Sequence, residues 1–324
     1  MAGTSAATSA RTLTSTDVLC GLLFISVAAR LVLTSFWQRP DVEAWTTVFV
    51  AICIQAAPYL VLGIAVSTLV AVAVPRRGFT RFLPRRPALA VPIAGLAGVA
   101  LPGCECGSVP VSASLMRRGV DAGPAIAFLL AAPAINPVVL VATSIAFPNR
   151  PEMVAARFLA SATTAVVVGW LWLRVGRVPR LPARFDAGAD TRRWDRACVT
   201  ATHDFAQSLG LLVVGAAGAA TVNVAVPAGW LDSVADTGVL AVAAMAMFAV
   251  VVAVCSEADA FVAASFIRFS STAQLAFMVV GPVVDLKLIA MQIGTFGART
   301  AARLAPLTLL VAVASAAGVG WWVL

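Results

Sequence analysis

Two cysteines and a glutamate, Cys104, Glu105 and Cys106, stand together in a sequence that otherwise avoids polar residues. They lie within LPGCECGSVP, residues 101–110. Thiolates are soft ligands for acceptors such as Cu(I), Zn(II) or a trivalent metalloid, and Cys-x-Cys spacing lets two sulfurs bind one ion. Because prolines and glycines flank the motif, we expect no regular helix to pass through it unbroken. The motif predicts a turn that carries a thiol site; simple burial of the cysteines as small hydrophobic residues is the alternative.

A second group of charged residues lies near the third cysteine of interest, Cys255. It consists of Glu257, Asp259, Asp285 and Lys287, all in apolar surroundings. A charge in mid-membrane costs about 2.5–3.5 kcal/mol on insertion scales, so such residues are usually paired or face a cavity. We expect Lys287 to neutralise Asp285 or Asp259, and the other carboxylates to set the charge of a site or carry coupling protons. A purely structural ion pair is the alternative.

Two apolar segments are interrupted by proline, at APAINP (132–137) and GPVVD (281–285). Proline removes a backbone hydrogen bond and frees a carbonyl, so both helices should open near their middle. Asn136 and Asp285 each follow a matched proline by three residues. We expect both side chains to face the cysteine-bearing turns, although a simple proline kink would also explain the pattern.

The composition indicates a polytopic membrane protein, since 60% of the 324 residues are hydrophobic and only 12% are charged. No soluble domain covers that much apolar surface. The net charge of +8 comes from arginines in short segments between apolar runs, which is a topology signal. We therefore expect a multi-pass protein of the cell inner membrane, and no nucleic-acid partner.

Seven stretches are long enough to cross a bilayer, which takes about 20 residues. They are 18–36, 45–74, 124–147, 153–173, 202–226, 272–296 and 304–323. Two further segments each consist of two short apolar arms around a polar turn, which predicts a re-entrant hairpin. They are 88–116, around Cys104 and Cys106, and 239–267, around Cys255. The resulting fold is all-α, with spanning helices, a re-entrant hairpin and a proline-broken helix in each of two repeats.

Arginine-rich loops set the expected orientation. Five arginines lie at 76–86 and seven at 174–196, so both loops and the N-terminus should be cytoplasmic. The expected organisation has four parts. They are an N-terminal tail and extra transmembrane helix (1–40), a first transmembrane repeat (41–173), a basic cytoplasmic linker (174–199) and a second, inverted repeat (200–324).

Internal similarity supports the two repeats. Residues 58–75 share nine of 18 positions with 210–227, and at an offset of 149 Cys106 falls on Cys255 and Asn136 on Asp285. The arginines after the first copy have no counterpart at 228–237, which carries two aspartates. This charge difference predicts inverted orientation. Inverted repeats with broken helices indicate a secondary transporter that binds substrate at the repeat interface.

Four motifs together resemble the predicted permeases of the ArsP/YraQ type. They are PGCECGSVP (102–110) with MRRG (116–119), AAPAINP (131–137), CSEADAF (255–261) and VVGPVVDLKL (279–288). The resemblance runs from about residue 45 to the end. It implies a multi-span inner-membrane permease. Some relatives export trivalent organoarsenicals through membrane cysteines, which correspond to Cys104, Cys106 and Cys255, and others are thought to work with a second subunit.

We therefore expect a permease, not an enzyme, that moves a soft metal or metalloid ion or a thiophilic small molecule, with efflux as the expected direction. We expect no cofactor; the expected partners are the lipid bilayer, the substrate and a second permease subunit. Cys104, Cys106 and Cys255 are the candidate metal ligands. The candidate substrate-binding residues are Cys104, Glu105, Cys106, Asn136, Cys255, Glu257, Asp259, Asp285 and Lys287. The alternatives are a membrane-embedded thiol-disulfide oxidoreductase using Cys104 and Cys106, a subunit of a multi-component permease, and a scaffold subunit that does not transport.

Overall fold

The computed structural model describes residues 40–73, 84, 86–100, 104–176, 193–225 and 238–324. Within these ranges the chain is helical and contains no β-strand, which confirms the all-α prediction. The helices are α1 (Pro40–Ala73), α2 (Pro87–Ala97), α3 (Glu105–Arg117), α4 (Ala122–Ala134), α5 (Pro137–Ala146), α6 (Pro151–Val175), α7 (Arg193–Ala225), α8 (Val239–Val252), α9 (Asp259–Ser265), α10 (Ser271–Val280), α11 (Leu286–Phe296) and α12 (Ala298–Val323).

Five helical stretches of the described chain are long and apolar enough to cross a membrane. They are Pro40–Leu69, Ala122–Ala146, Pro151–Val175, Ala201–Val222 and Ala298–Val323. The expected span 272–296 is divided into α10 and α11, at the break predicted from GPVVD. The expected first span 18–36, most of the arginines in both basic loops, and the aspartate-bearing segment 228–237 lie outside the described residues.

The segments predicted to be hairpins each contain two short helices, α2 with α3 and α8 with α9. With 13 residues, α3 extends about 20 Å at 1.5 Å per residue, less than the roughly 30 Å of a hydrocarbon core. The motif at 101–110 is less turn-like than its prolines suggest, because α3 begins at Glu105 and continues through Pro110. Pro110 removes one backbone hydrogen bond from α3, but the helix continues past it to Arg117.

Both proline-marked segments are broken as expected. α4 ends at Ala134 and α10 ends at Val280, and a new helix begins a few residues later in each case. The Asn136 side chain accepts a hydrogen bond from the Val139 N–H at 2.9 Å, and Asp285 accepts one from the Leu288 N–H at 2.6 Å. Both residues are therefore N-caps, which satisfy backbone donors at the start of a helix.

The two halves of the described chain follow the same order of elements. A long helix (α1 or α7) precedes a pair of short helices, a broken helix and a second long helix. The contacts correspond too, since α2 packs on α4 as α8 packs on α10, and α4 packs on α6 as α10 packs on α12. Contacts also cross between the halves: α3 packs on α11, and α9 packs on α5. The second helix of each hairpin thus contacts the broken helix of the other half.

Two glycines allow long helices to lie directly against this central region. A Cβ added to Gly63 of α1 would come within 2.4 Å of the Gly107 Cα in α3. A Cβ added to Gly215 of α7 would come within 2.6 Å of the Lys287 Cα in α11. Both distances are too short for non-bonded carbon atoms, so the close helix approach requires the missing side chain.

We expect Gly215→Ala to destabilise the protein by about 1–3 kcal/mol, the usual effect of overpacking. Gly218→Ala is the matched control, because it lies on the same helix and its added Cβ would meet nothing within 4 Å. That substitution should be neutral or raise stability by up to about 1 kcal/mol through helix propensity. Thermal unfolding in detergent distinguishes the two, and equal unfolding temperatures would contradict the packing argument.

Candidate functional site

Three cysteines from the two halves lie together in the interior. Cys104 precedes α3, Cys106 lies in its first turn, and Cys255 lies in the turn between α8 and α9. All three are buried, and the Cys104 thiol lies beside the thiols of both Cys106 and Cys255. None forms a disulfide. The chain therefore brings three free thiols from distant sequence positions into one apolar cluster.

Within the described residues, no group of three or more histidine, cysteine, aspartate or glutamate side chains could hold a metal ion. The assignment of Cys104, Cys106 and Cys255 as metal ligands therefore stays a prediction.

Lys287 is the centre of a charged group next to the thiols. It is the only lysine in the sequence and is 1% exposed. Its Nζ lies 2.6 Å from Glu105 Oε1 and 3.3 Å from Asp285 Oδ2, and it donates to the Ala253 carbonyl at 3.0 Å. Lys287 therefore forms ion pairs with both carboxylates and a hydrogen bond with the backbone carbonyl. Glu105 and Asp285 are equally buried.

This charged group lies where two helices begin. Glu105 is the first residue of α3, and Asp285 is the N-cap of α11. Helix N-termini carry partial positive charge, which favours carboxylates and disfavours a nearby lysine. Lys287, in the first turn of α11, therefore depends on both carboxylates. The expectation that Lys287 neutralises Asp285 agrees with this geometry, and Glu105 is a second partner that the residue pattern did not single out.

Asp259 does not pair with Lys287. Its Oδ2 lies 2.6 Å from Nη2 of Arg157 in α6, and the same Nη2 donates to the Ser256 carbonyl at 3.2 Å. Nη1 of Arg157 donates to the Thr143 hydroxyl at 2.8 Å. Sequence reasoning missed Arg157, although an arginine alone within the apolar span 153–173 is the same kind of signal that drew attention to Lys287.

The two buried ion pairs are reciprocal. Lys287, from the second half, binds Glu105 at the start of α3 in the first half. Arg157, from the first half, binds Asp259 at the start of α9 in the second half. Each pair therefore joins the second helix of one hairpin to the opposite half of the chain.

The remaining predicted site residues have different surroundings. Glu257 lies in the Cys255–Asp259 turn and is partly buried. Its Oε2 lies 3.5 Å from the Ser256 hydroxyl, and no described cationic side chain lies within 4 Å of it. Asn136 is fully buried, and its Nδ2 donates to the Ala132 carbonyl at 3.2 Å. This bond and the one from the Val139 N–H are typical of a helix N-cap.

A narrow polar cleft lies at the other ends of the helices that begin at the site. Arg117 of α3, Asp204 and Ser208 of α7, and Thr295 of α11 line it. Its volume is about 30 Å³, roughly the space that one water molecule occupies. α3 and α11 thus extend from the buried charged group to this cleft.

Comparison with known proteins identifies the family. Residues 42–319 match the model of the ArsP_1 family, described as predicted permease. The UPF0718 protein YcgR of Bacillus subtilis is 31% identical over 261 residues, which cover 78% of this chain and 89% of that protein. A putative two-component membrane permease complex subunit of Streptococcus mutans is 29% identical over 258 residues, which cover 77% of this chain and 86% of that protein. The UPF0718 protein YraQ of Escherichia coli is 30% identical over 168 residues, about half of each chain.

No solved structure matches the chain. The family match covers both halves, including the cysteine motif, the two helix breaks and the two buried ion pairs. Together with the five long apolar helices, it establishes that the chain is a multi-pass membrane protein and a member of the ArsP_1 family of predicted permeases.

Proposed function

We propose that the protein is an inner-membrane secondary transporter of a soft metal or metalloid ion, or of a thiophilic small molecule, and that it works by efflux. The observation that carries this proposal is the burial of Cys104, Cys106 and Cys255 next to the group formed by Lys287, Glu105 and Asp285. In a permease, buried thiols beside charged groups at helix N-termini suit a cargo that bonds to sulfur.

The chemistry of the cargo follows from the thiols. A soft acceptor bonds to thiolate sulfur, and a trivalent metalloid with one organic substituent needs only two sulfurs. Cys104 has two thiol neighbours, so it can share such a cargo with either. Glu105 and Glu257 are the carboxylates nearest in sequence to these cysteines. In this proposal they set the charge of the site or carry coupling protons.

The proposed mechanism is alternating access between two inverted repeats, α1–α6 and α7–α12. The corresponding order of elements and the reciprocal contacts of α3 with α11 and α9 with α5 support this division. Rocking of one repeat against the other would open the site to one side at a time. The cleft at Arg117 and Asp204 is the proposed route to the cytoplasm, since the topology predicted from the arginine-rich loops puts these helix ends there.

A second candidate function is that of one subunit in a multi-component permease. It is favoured by the similarity to the Streptococcus mutans protein, which is named as a putative two-component membrane permease complex subunit. Purification of the tagged chain in mild detergent from its own cells tests this candidate. A second membrane or extracytoplasmic protein should then co-purify in constant proportion.

The thiol proposal predicts that Cys106→Ser lowers efflux by at least about tenfold, the effect of losing roughly 1.4 kcal/mol of interaction. Uptake into everted vesicles, across a panel of metal ions and trivalent arsenicals, measures this. Cys198→Ser is the matched control, because Cys198 is an exposed cysteine on α7 and should transport like the unmodified protein.

Equal fluxes for Cys106→Ser and the unmodified protein would remove the thiol site. Alkylation with and without cargo separates transport from redox chemistry. Protection of Cys104 and Cys106 by a metal ion or arsenical favours transport. Trapping of a mixed disulfide between Cys104 of the Cys106→Ser variant and another protein would favour the thiol-disulfide oxidoreductase instead.

A further inference from the structure

An apolar groove lies between α2 and α6, on a different part of the protein from the thiols. Pro87 and Ala88 of α2 form one wall, and Val167, Trp170 and Leu171 of α6 form the other. Its volume is about 620 Å³, within the range of small-molecule sites. The Trp170 indole N–H donates to the Ala88 carbonyl at 2.8 Å, which ties the two walls together while the ring stays 44% exposed.

The end of this groove is positively charged. Arg174, in the last turn of α6, lines it, and Arg86 immediately precedes α2. Both arginines are exposed, and neither forms an ion pair with a described carboxylate. An apolar groove that is lined by Arg174 at one end, with Arg86 next to its lining residue Pro87, complements an amphiphile that has a hydrocarbon tail and an anionic head.

The sequence around the groove indicates where this end lies relative to the bilayer. Arg86 closes the arginine-rich segment 76–86, and Arg174 opens the segment 174–196. Both segments are predicted to be cytoplasmic, and an exposed tryptophan such as Trp170 is typical of the membrane interface. In this predicted topology the charged end lies at headgroup level in the cytoplasmic leaflet, where the anionic lipids are found.

We propose that the groove between α2 and α6 is a binding site for an anionic phospholipid, with one acyl chain along Val167, Trp170 and Leu171 and the phosphate on Arg174. Basic pockets between transmembrane helices on the cytoplasmic side are known to bind anionic headgroups. The apolar walls supply affinity for the chain, and Arg174 with Arg86 supplies preference for negative charge. This site does not depend on what the protein transports.

Native mass spectrometry of the detergent-purified full chain tests the site, with phosphatidylglycerol and phosphatidylcholine of identical acyl chains as probes. The unmodified protein should retain phosphatidylglycerol at lower lipid concentration than phosphatidylcholine. Arg174→Gln should weaken phosphatidylglycerol binding about fivefold, the effect expected for one basic residue near anionic lipid. Arg303→Gln is the matched control, since Arg303 is an exposed arginine on α12 and should leave the preference intact.

A second variant tests the acyl-chain part of the site. Val167→Trp fills the groove. It should weaken the binding of phosphatidylglycerol and phosphatidylcholine by the same factor, so that the ratio of their affinities does not change. Equal affinity for the two lipids in the unmodified protein would overturn the anionic site. Equal losses of phosphatidylglycerol affinity in Arg174→Gln and Arg303→Gln would also overturn it, because they would indicate a diffuse basic surface.

Discussion

Lys287→Met is expected to destabilise the protein by about 3–5 kcal/mol, the cost of removing one partner from a buried ion pair. Methionine is a good match in length but leaves Glu105 and Asp285 buried without their cation, and leaves the Ala253 carbonyl without its donor. The thermal unfolding temperature in detergent and the yield of monodisperse protein measure this loss.

The identity of the cation should matter as well as its charge. Lys287→Arg keeps the charge, but a planar guanidinium is larger and cannot direct three donors from one nitrogen. We therefore expect Lys287→Arg to be destabilised too. Combining Lys287→Met with Glu105→Gln and Asp285→Asn removes all three charges and keeps a good N-cap for α11. This triple variant should recover much of the stability; if it is no better than Lys287→Met, uncompensated charge is not the cause.

Arg157→Met is expected to have an effect of similar size, about 3–5 kcal/mol. It leaves Asp259 buried without its cation and removes the hydrogen bonds to the Ser256 carbonyl and the Thr143 hydroxyl. The bond to Ser256 and the ion pair with Asp259 join α6 to the Cys255–Asp259 turn of the second half, and the bond to Thr143 joins α6 to α5. Loss of the pair should therefore loosen that turn, and unfolding in detergent should begin at lower temperature.

A double-mutant cycle isolates the interaction between Arg157 and Asp259. Arg157→Met combined with Asp259→Asn should cost clearly less than the sum of the single changes, because neither charge is then left alone. Arg150→Gln is the matched control, since Arg150 also joins the two halves through a hydrogen bond to Ser271 at 3.0 Å, but in an exposed position. Arg150→Gln should lower the free energy of unfolding by only about 1 kcal/mol. A loss as large as that of Arg157→Met would contradict the role of burial.

The reciprocal arrangement of these two pairs connects stability with the proposed transport. Each pair holds a helix next to the cysteines against the opposite half. Any movement that opens the site by separating the halves must break or relocate at least one of them. We therefore expect the loss of either pair to affect the proposed transport as well as stability.

The residue pattern predicted the class of the protein and most of its local features. The lengths of apolar runs, the all-α fold and the helix breaks near Pro133 and Pro282 could all be predicted, because each depends on a few neighbouring residues. The shared position of Asn136 and Asp285 was also visible, and both prove to be N-caps. The four motifs identified the family that the comparison confirms.

The partners of the charged residues were decided only by the tertiary structure. Lys287 was expected near Asp285 or Asp259, but its shortest contact is with Glu105, and Asp259 binds Arg157. Such pairs join residues on different helices, and hydrophobic periodicity does not say which helix lies beside which. The close approach of α7 to α11 at Gly215 also depends on which helices are neighbours. Local backbone chemistry determines where helices start and stop; the packing of helices from both halves determines which buried charges and thiols meet.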